Sequence, residues 1–348
     1  MKIYQIVEDY NNSFHAGSKA TNDATIIFDQ IGAVKLPITI SSRNQGIVAK
    51  LVRQITFFKE WNRLYKKVEN NSVVIIQSPF TIRQIGRYSV LKRLKQNKNV
   101  RFLSLVHDVE VLRFDTEKSR REFHEMLTFV DHFIVHNNNM KKWFMDQGIP
   151  DEKLTVLEIF DYLNKKSSNE AVNFSTTVTI AGNLSPEKSP YVYELGKIKN
   201  VKFELMGVNY DSEANFENVI YRGAFPPDEV ANELTHGFGL VWDGPSVETC
   251  AGETGEYLRF NNPHKLSLYL SSSLPVIIWS EAAEAEFVKE HNVGIVVSSL
   301  YNLEGVLSTI TVSEYNEMVK STKKIKERLQ AGYYLKTATE YALKLLNR

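Results

Sequence analysis

The residues best suited to chemistry lie between Gly239 and Trp279. Lys265 follows Asn262 and Pro263 at the head of a segment in which Leu266, Tyr269 and Leu270 recur at one-face helical spacing. Asn262 is a good N-cap, because its side-chain oxygen can accept from a free backbone N–H. Pro263 suits the first helical position, where no N–H partner is needed. Free N–H groups, the positive end of the helix dipole and the Lys265 ammonium then converge on one spot, which suits an anion and above all a phosphate. An ordinary capped helix with a solvated lysine would use the same residues. The segment before it favours the phosphate. Phe238–Trp242 reads as an apolar strand that runs into a long polar loop carrying Asp243, Gly244, Gly252, Glu253, Gly255, Glu256, Tyr257, Arg259 and Asn261. Loops of that length are functional or disordered, and open α/β sheets bind ligands at the carboxyl ends of their strands. Pro275 ends the helix, and Val276–Trp279 reads as a buried strand.

Other chemistries are excluded or weak. The single cysteine, Cys250, rules out an internal disulfide and a Cys-based zinc site, and it suits a reducing cytoplasm. No base adjoins it in sequence, so it reads as an ordinary loop thiol. The net charge of +1 hides an asymmetry: the first half has an excess of Lys and Arg, the second an excess of Asp and Glu. Between Arg83 and Arg101 there are seven basic residues and no acidic one. That run is either a solvated helix face or a surface that meets anionic membrane lipid or a polyanionic acceptor. No nucleic-acid motif accompanies it. Met1–Glu8 is strand-like rather than a signal peptide, and no apolar run approaches the ~20 residues of a membrane span. A cytoplasmic protein, at most peripheral to the inner face of a membrane, is expected.

These residues must be positioned by a larger frame. Strand-like runs at Lys2–Val7, Val34–Ile40, Val73–Gln77, Arg101–His107, His132–Val135 and Leu154–Ile159 alternate with helical stretches. The clearest helix is Ile47–Val68, where Leu51, Ile55, Phe58 and Tyr65 share a face. A second series follows at Thr177–Ala181, Lys202–Met206, Val219–Tyr221, Phe238–Trp242, Pro275–Trp279 and Gly294–Val297. Alternating βα units imply parallel sheets covered by helices, and two series imply two Rossmann-like domains. We set these at residues 1–161 and 175–312, with a Lys-, Ser- and Asn-rich linker at Tyr162–Phe174. A helical end at 313–348, broken near Gly332, should pack back on the first domain.

Two Rossmann-like domains with a nucleotide loop in the second resemble the GT-B glycosyltransferase fold, an α/β class with the domains facing a cleft. The opening VTIAGNLSPEKSP of the second domain is similar to the glycine-asparagine-leucine turn of such enzymes. GLVWDG followed by NNPHKLSLYLSSSLPVIIW resembles the bacterial galactofuranosyltransferases and the accessory-secretion glucosyltransferases that glycosylate surface polysaccharides or serine-rich adhesins. The resemblance spans nearly the whole chain, and the WDG and NNPHK motifs are its specific parts. It implies a UDP-hexose donor, a glycan, lipid-linked glycan or glycoprotein acceptor, and a homo-oligomer. It also implies roles. Gly182 and Asn183 would lie near the diphosphate and Lys188 would reach a phosphate. Tyr221 would stack near the uracil, or be plain core. Trp242 and Asp243 would lie close to the nucleotide, with packing the alternative for Trp242. Asn262 and Lys265 would hold the pyrophosphate.

Glycosyl transfer breaks an anomeric C–O bond through an oxocarbenium-like state, and the departing nucleoside diphosphate needs positive charge beside it. With no Asp-x-Asp pair in the sequence, the expected source is Lys265 and a helix N-terminus, with no metal cofactor. If the anomer is inverted, a base must face the donor. Asp108 is the first candidate and Glu110 the second, after the strand ending at His107; Asp108 could equally cap its turn. Gly17 and Ser18, with Lys19, Thr21 and Asn22, lie in the first βα loop, where they would contact donor or acceptor. His15 and His136 are weaker candidates, and a core position suits His136 equally. Two other readings stay open: a nucleotide-sugar epimerase, and a non-catalytic partner subunit of a transferase.

Overall fold

A computed structural model of the chain describes residues 1–9, 16–40, 46–80, 82–164, 172–214, 216–226 and 229–347, without the side chains of 16–18. Its strands are β1 Ile3–Asp9, β2 Val34–Thr39, β3 Val73–Ser78, β4 Arg101–Val106, β5 His132–Val135, β6 Leu154–Val156, β7 Asn173–Asn183, β8 Phe203–Val208, β9 Val219–Gly223, β10 His236–Val241, β11 Val276–Trp279 and β12 Gly294–Val297. The helices are α1 Ala16–Gln30, α2 Ile47–Lys67, α3 Arg87–Lys98, α4 Glu110–Arg113, α5 Glu117–Phe129, α6 Asn138–Asp146, α7 Val230–Glu233, α8 Gly252–Glu256, α9 His264–Ser271, α10 Ala285–Glu290, α11 Leu303–Thr309, α12 Val312–Gln330 and α13 Tyr333–Leu346. All twelve expected strands are present.

The chain divides into two compact units. The first comprises Met1–Val135, Lys141–Leu157 and Leu335–Arg348; the second comprises His136–Met140 and Glu158–Tyr334. Residues 165–171, within the expected linker, lie outside the described residues, and β7 already begins at Asn173. Gly332, in a left-handed conformation at φ 69°, separates α12 from α13.

The first unit holds a parallel sheet in the order β2-β1-β3-β4-β5-β6. Its central strands are buried almost without interruption, as Val73 to Ile76 and Phe102 to Val106 show. Helices on both faces of a parallel sheet demand such apolar runs. The helix α2 departs from the simple amphipathic picture. Its core contacts are Phe57, Trp61 and Leu64, whereas Leu51, Ile55 and Phe58, which share a face by their spacing, are exposed. The bulky Trp61, whose indole N–H donates to Gln84 Oε1 at 2.8 Å, sets the inward face instead.

The second unit holds a parallel sheet in the order β12-β11-β10-β7-β8-β9. The chain builds from β7 outward through β8 and β9, then returns to the other side of β7 with β10, β11 and β12. The strand order therefore reverses between β7 and β10. Crossover helices diverge to opposite faces at such a point and leave a crevice at the carboxyl ends of the two strands. Those ends are Gly182-Asn183 and Trp242-Asp243.

Candidate active site

One side chain holds α9 over that crevice. The buried ring of Tyr269 lies against Gly239 of β10, where an added Cβ would sit 2.2 Å from the ring. Its hydroxyl accepts from the Ala181 N–H at 2.8 Å and donates to the Thr179 carbonyl at 3.3 Å, both on β7. Lys265 is one turn earlier on the same helix face. Its Cε lies 3.6 Å from where a Cβ of Gly182 would stand, and its ammonium donates to the Trp242 carbonyl at 3.2 Å. Gly182 has φ 144°, a backbone conformation suited to glycine. Gly207 of β8 packs so closely that a Cβ there would meet the Gly182 carbonyl.

Three charges meet at this point. Lys188 Nζ lies 3.4 Å from Asp243 Oδ2, and Asp243 Oδ1 accepts from the Gly244 N–H at 2.9 Å. Burial favours the neutral form of Asp243, but Lys265, Lys188 and the Gly244 N–H outweigh it and hold the carboxyl below its ordinary range. Burial, with help from the Lys188 charge, holds Lys265 below an ordinary lysine, against the pull of Asp243. Two ammonium groups thus surround one carboxylate and leave an excess positive charge. The described residues take one Lys265 N–H, and an ammonium has three. A nucleoside diphosphate matches what remains.

Several sequence expectations change. The N-cap of α9 is Pro263, with no side-chain cap bond, so Asn262 does not cap the helix. Asn262 is buried: its N–H donates to His136 Nδ1 at 2.9 Å, and its side-chain amide donates to the carbonyls of His136 and Glu158. Its Oδ1 accepts from Asn137 at 2.8 Å. Both amide N–H groups are spent within the protein, so Asn262 fixes the approach to α9 instead of holding pyrophosphate. His136, 1% exposed, takes the core position. The long polar loop folds into α8 and a 3-10 turn at Tyr257–Arg259, and Gly255 of α8 lies against the backbone of buried Cys250. Burial raises the Cys250 thiol far above its usual range, which leaves it inert. The Trp242 indole is buried and donates to the Ser246 carbonyl at 2.9 Å; the residue offers the crevice its backbone carbonyl, and its ring packs.

At the ends of β7 and β8, Asn183 Oδ1 accepts from the Ser185 N–H at 3.1 Å and from Asn209 at 3.2 Å. Tyr221 is exposed and donates to the Gly207 carbonyl at 2.8 Å. Its ring lies 4.8 Å from that of Tyr210, which stacks on Tyr193 at 5.9 Å. Tyr193 and Tyr210 have no motif in the sequence, and only the folded loops bring them beside Tyr221.

In the first unit, Arg113 bridges the base candidates, 3.5 Å from Asp108 Oδ2 and 3.4 Å from Glu110 Oε1. Asp108 and Glu110 line one pocket with Ser78, Phe80, Arg87 and Tyr88. His107 contacts Gln77 Oε1 at 2.7 Å; burial lowers its pKa to about 4, so it is neutral near pH 7. Gly17 and Ser18 begin α1, and their side chains lie outside the described residues, as does His15. Lys19 pairs with Asp23 at 2.7 Å. Arg87, counted in the basic run read as a solvated face or an anion-meeting surface, is instead buried. It is 5% exposed, donates to the Ile82 carbonyl and lies 4.3 Å from the Phe80 ring centre.

A buried polar group beside Asn262 was missed. Glu284, 2% exposed, lies 3.5 Å from the Asn137 amide through Oε1, and its Oε2 has no hydrogen-bond partner among the described residues. Burial raises its carboxyl well above the ordinary range, and the nearby Glu158 charge adds to that.

Comparison with known proteins agrees with this architecture. The model of the N-terminal domain of Glucosyltransferase 3-like proteins matches residues 3–159, and that of their C-terminal domain matches 178–342. The beta-1,6-galactofuranosyltransferase WbbI of Escherichia coli K12 is 32% identical over 332 residues, covering 93% of each chain. Glucosyltransferase 3 of Streptococcus gordonii is 27% identical over 320 residues, covering 91% of each. Among solved structures, the lipopolysaccharide outer core galactosyltransferase WaaB superposes with a TM-score of 0.62 at 12% identity, covering 99% of both chains. Anabaena HepE, in complex with UDP and glucose, gives 0.61 at 11%, again covering 99% of both. The fold is GT-B, with two parallel α/β sheets.

Proposed function

The chain belongs to the Glucosyltransferase 3-like family and is a glycosyltransferase, and on that premise we propose that it moves galactofuranose or glucose from a UDP-sugar to a cell-surface glycan, lipid-linked glycan or glycoprotein. The reaction takes place on the cytoplasmic side and needs no metal. The observation that carries this reading is the Lys265 ammonium, held beside Gly182 and the Trp242 carbonyl where the strand order reverses.

As the anomeric C–O bond lengthens, negative charge grows on the departing UDP. Lys265 meets that charge, and the positive end of the α9 dipole adds to it. Lys188 reaches the same anion from the other side, drawn there by Asp243. Gly182 lets the β7 backbone approach the diphosphate, and Asn183 orders the turn that follows. Tyr221, backed by Tyr210, offers a face to the base. The donor binding of HepE, which shares the fold, supports a UDP-sugar. Asp108, with Glu110 second, is the base for the acceptor hydroxyl if the anomer is inverted.

Incubation with a panel of UDP-sugars, in the presence and absence of acceptor glycans, tests the reading. Acceptor-dependent release of UDP is expected. Conversion of the sugar without acceptor would mean epimerisation, and silence across the panel would mean a non-catalytic subunit; either overturns the proposal.

A further inference from the structure

Six large apolar side chains stand out of the protein on the first three turns of α2. Ile47 is 86% exposed and Leu51 62%, and Val48, Val52, Ile55 and Phe58 are exposed with them. The inward residues of the helix begin only at Phe57. The loop before α3 extends the patch: Gln54 accepts from the Ile85 N–H and donates to the Arg83 carbonyl, and Ile85 is itself exposed. Soluble proteins seldom leave so much contiguous apolar surface bare unless something covers it.

The charge around the patch selects the occupant. From Gln30 to Lys59 and again from Asn70 to His107 the sequence contains no acidic residue. Lys50, Lys59 and Arg83 are exposed beside the apolar face, and Lys92 and Arg93 are exposed on α3, which packs against α2. A second copy of the chain, pairing face to face, would set these cations against themselves. A surface that is apolar within and anionic at its rim matches both features, and an acidic bilayer has that profile. With six basic residues along its length, α2 would lie in the interface; among the described residues no helix is long and apolar enough to cross a membrane. The helix leaves the carboxyl end of β2, so the patch is at the sheet edge toward which Asp108 and Glu110 follow β4.

We infer that the first three turns of α2, with Ile85 and the flanking Lys50, Lys59 and Arg83, form a docking surface for an anionic lipid bilayer. The inference stands apart from the donor chemistry at Lys265. Flotation of the full chain tests it, with vesicles of phosphatidylcholine alone or with roughly one-third phosphatidylglycerol. The protein is expected to float with the mixed vesicles, to be released by salt, and to stay behind with phosphatidylcholine alone. The triple variant Ile47→Ser, Leu51→Ser, Ile55→Ser and the triple variant Lys50→Gln, Lys59→Gln, Arg83→Gln should each lose vesicle binding about tenfold or more. All three proteins should keep the same circular dichroism and UDP affinity, which separates loss of docking from loss of fold or of the donor site. Wild-type protein that ignores both vesicles, or an apolar variant that still floats, overturns the inference. So does an apolar variant that turns an oligomer into a monomer while vesicles leave the wild type unbound, for then the face is a subunit interface.

Discussion

Lys265 and Tyr269 stand one helical turn apart on α9, and the second determines where the first is held. The Tyr269 hydroxyl bridges the Ala181 N–H and the Thr179 carbonyl of β7. That register leaves the Lys265 side chain against Gly182, at the end of the same strand. Tyr269→Phe leaves the buried Ala181 N–H without its acceptor, at a cost of about 1–3 kcal/mol. Thermal unfolding should show that loss. The KM for the donor should rise as well, and an unchanged donor KM would mean that Tyr269 acts on stability alone.

Removal of the ammonium itself should act on UDP. Lys265→Ala is expected to weaken UDP binding roughly 10- to 100-fold, the worth of a charge-assisted contact, with melting behaviour little changed. Calorimetric titration of UDP measures it, and equal affinities would remove Lys265 from the phosphate site.

The pH dependence of binding follows from the same residue. Burial holds the Lys265 pKa below that of an ordinary lysine. On the proposed role its cationic form binds the diphosphate, so UDP affinity should fall as pH rises through that lowered value. The fall should come at lower pH than for an ordinary lysine and be absent in Lys265→Ala. A flat profile up to the ordinary lysine range would contradict the assignment.

If Lys265 and Lys188 supply the positive charge at the leaving group, as proposed, transfer activity should persist in excess chelator. Loss of acceptor-dependent UDP release with chelator, restored by a divalent cation, would replace that account with a metal-assisted one.

Glu284 makes a prediction for stability. Its carboxyl is buried with one oxygen unpartnered among the described residues, and its folded pKa is raised well above the ordinary carboxylate range by burial. The unfolded chain releases this proton first, so Glu284 costs stability progressively as pH rises above its unfolded pKa. Glu284→Gln should therefore raise Tm at pH 8 by about 2 °C or more, and the gain should shrink as pH falls toward the unfolded value. A gain independent of pH would show that burial of the proton is not the cause.

Strand positions were legible because parallel strands covered on both faces need near-continuous apolar runs, and those runs stand out in the sequence. The place of Lys265 in the first turn of a helix was legible because Asn262 and Pro263 mark a helix start. The cap itself was misread: Asn262 has the chemistry of an N-cap, but His136, Asn137 and Glu158 compete for its polar atoms and win. These partners lie more than a hundred positions away in sequence, beyond the reach of any local rule. The direction of the α2 stripe was not legible for a related reason. Spacing shows that Leu51, Ile55 and Phe58 share a face, but the direction of that face depends on where Trp61 and Phe57 find the sheet.

By itself the sequence determined two βα series, the family motifs WDG and NNPHK, and a lysine at a helix start, since each of these is written in spacing along a few residues. Only the tertiary structure decided which groups meet. The reversal of strand order sets Gly182 beside Lys265 and Trp242, the Tyr269 hydroxyl fixes their register, and tertiary packing brings Tyr210 against both Tyr193 and Tyr221. Contacts between distant segments arise from the packing of sheets and helices as a whole.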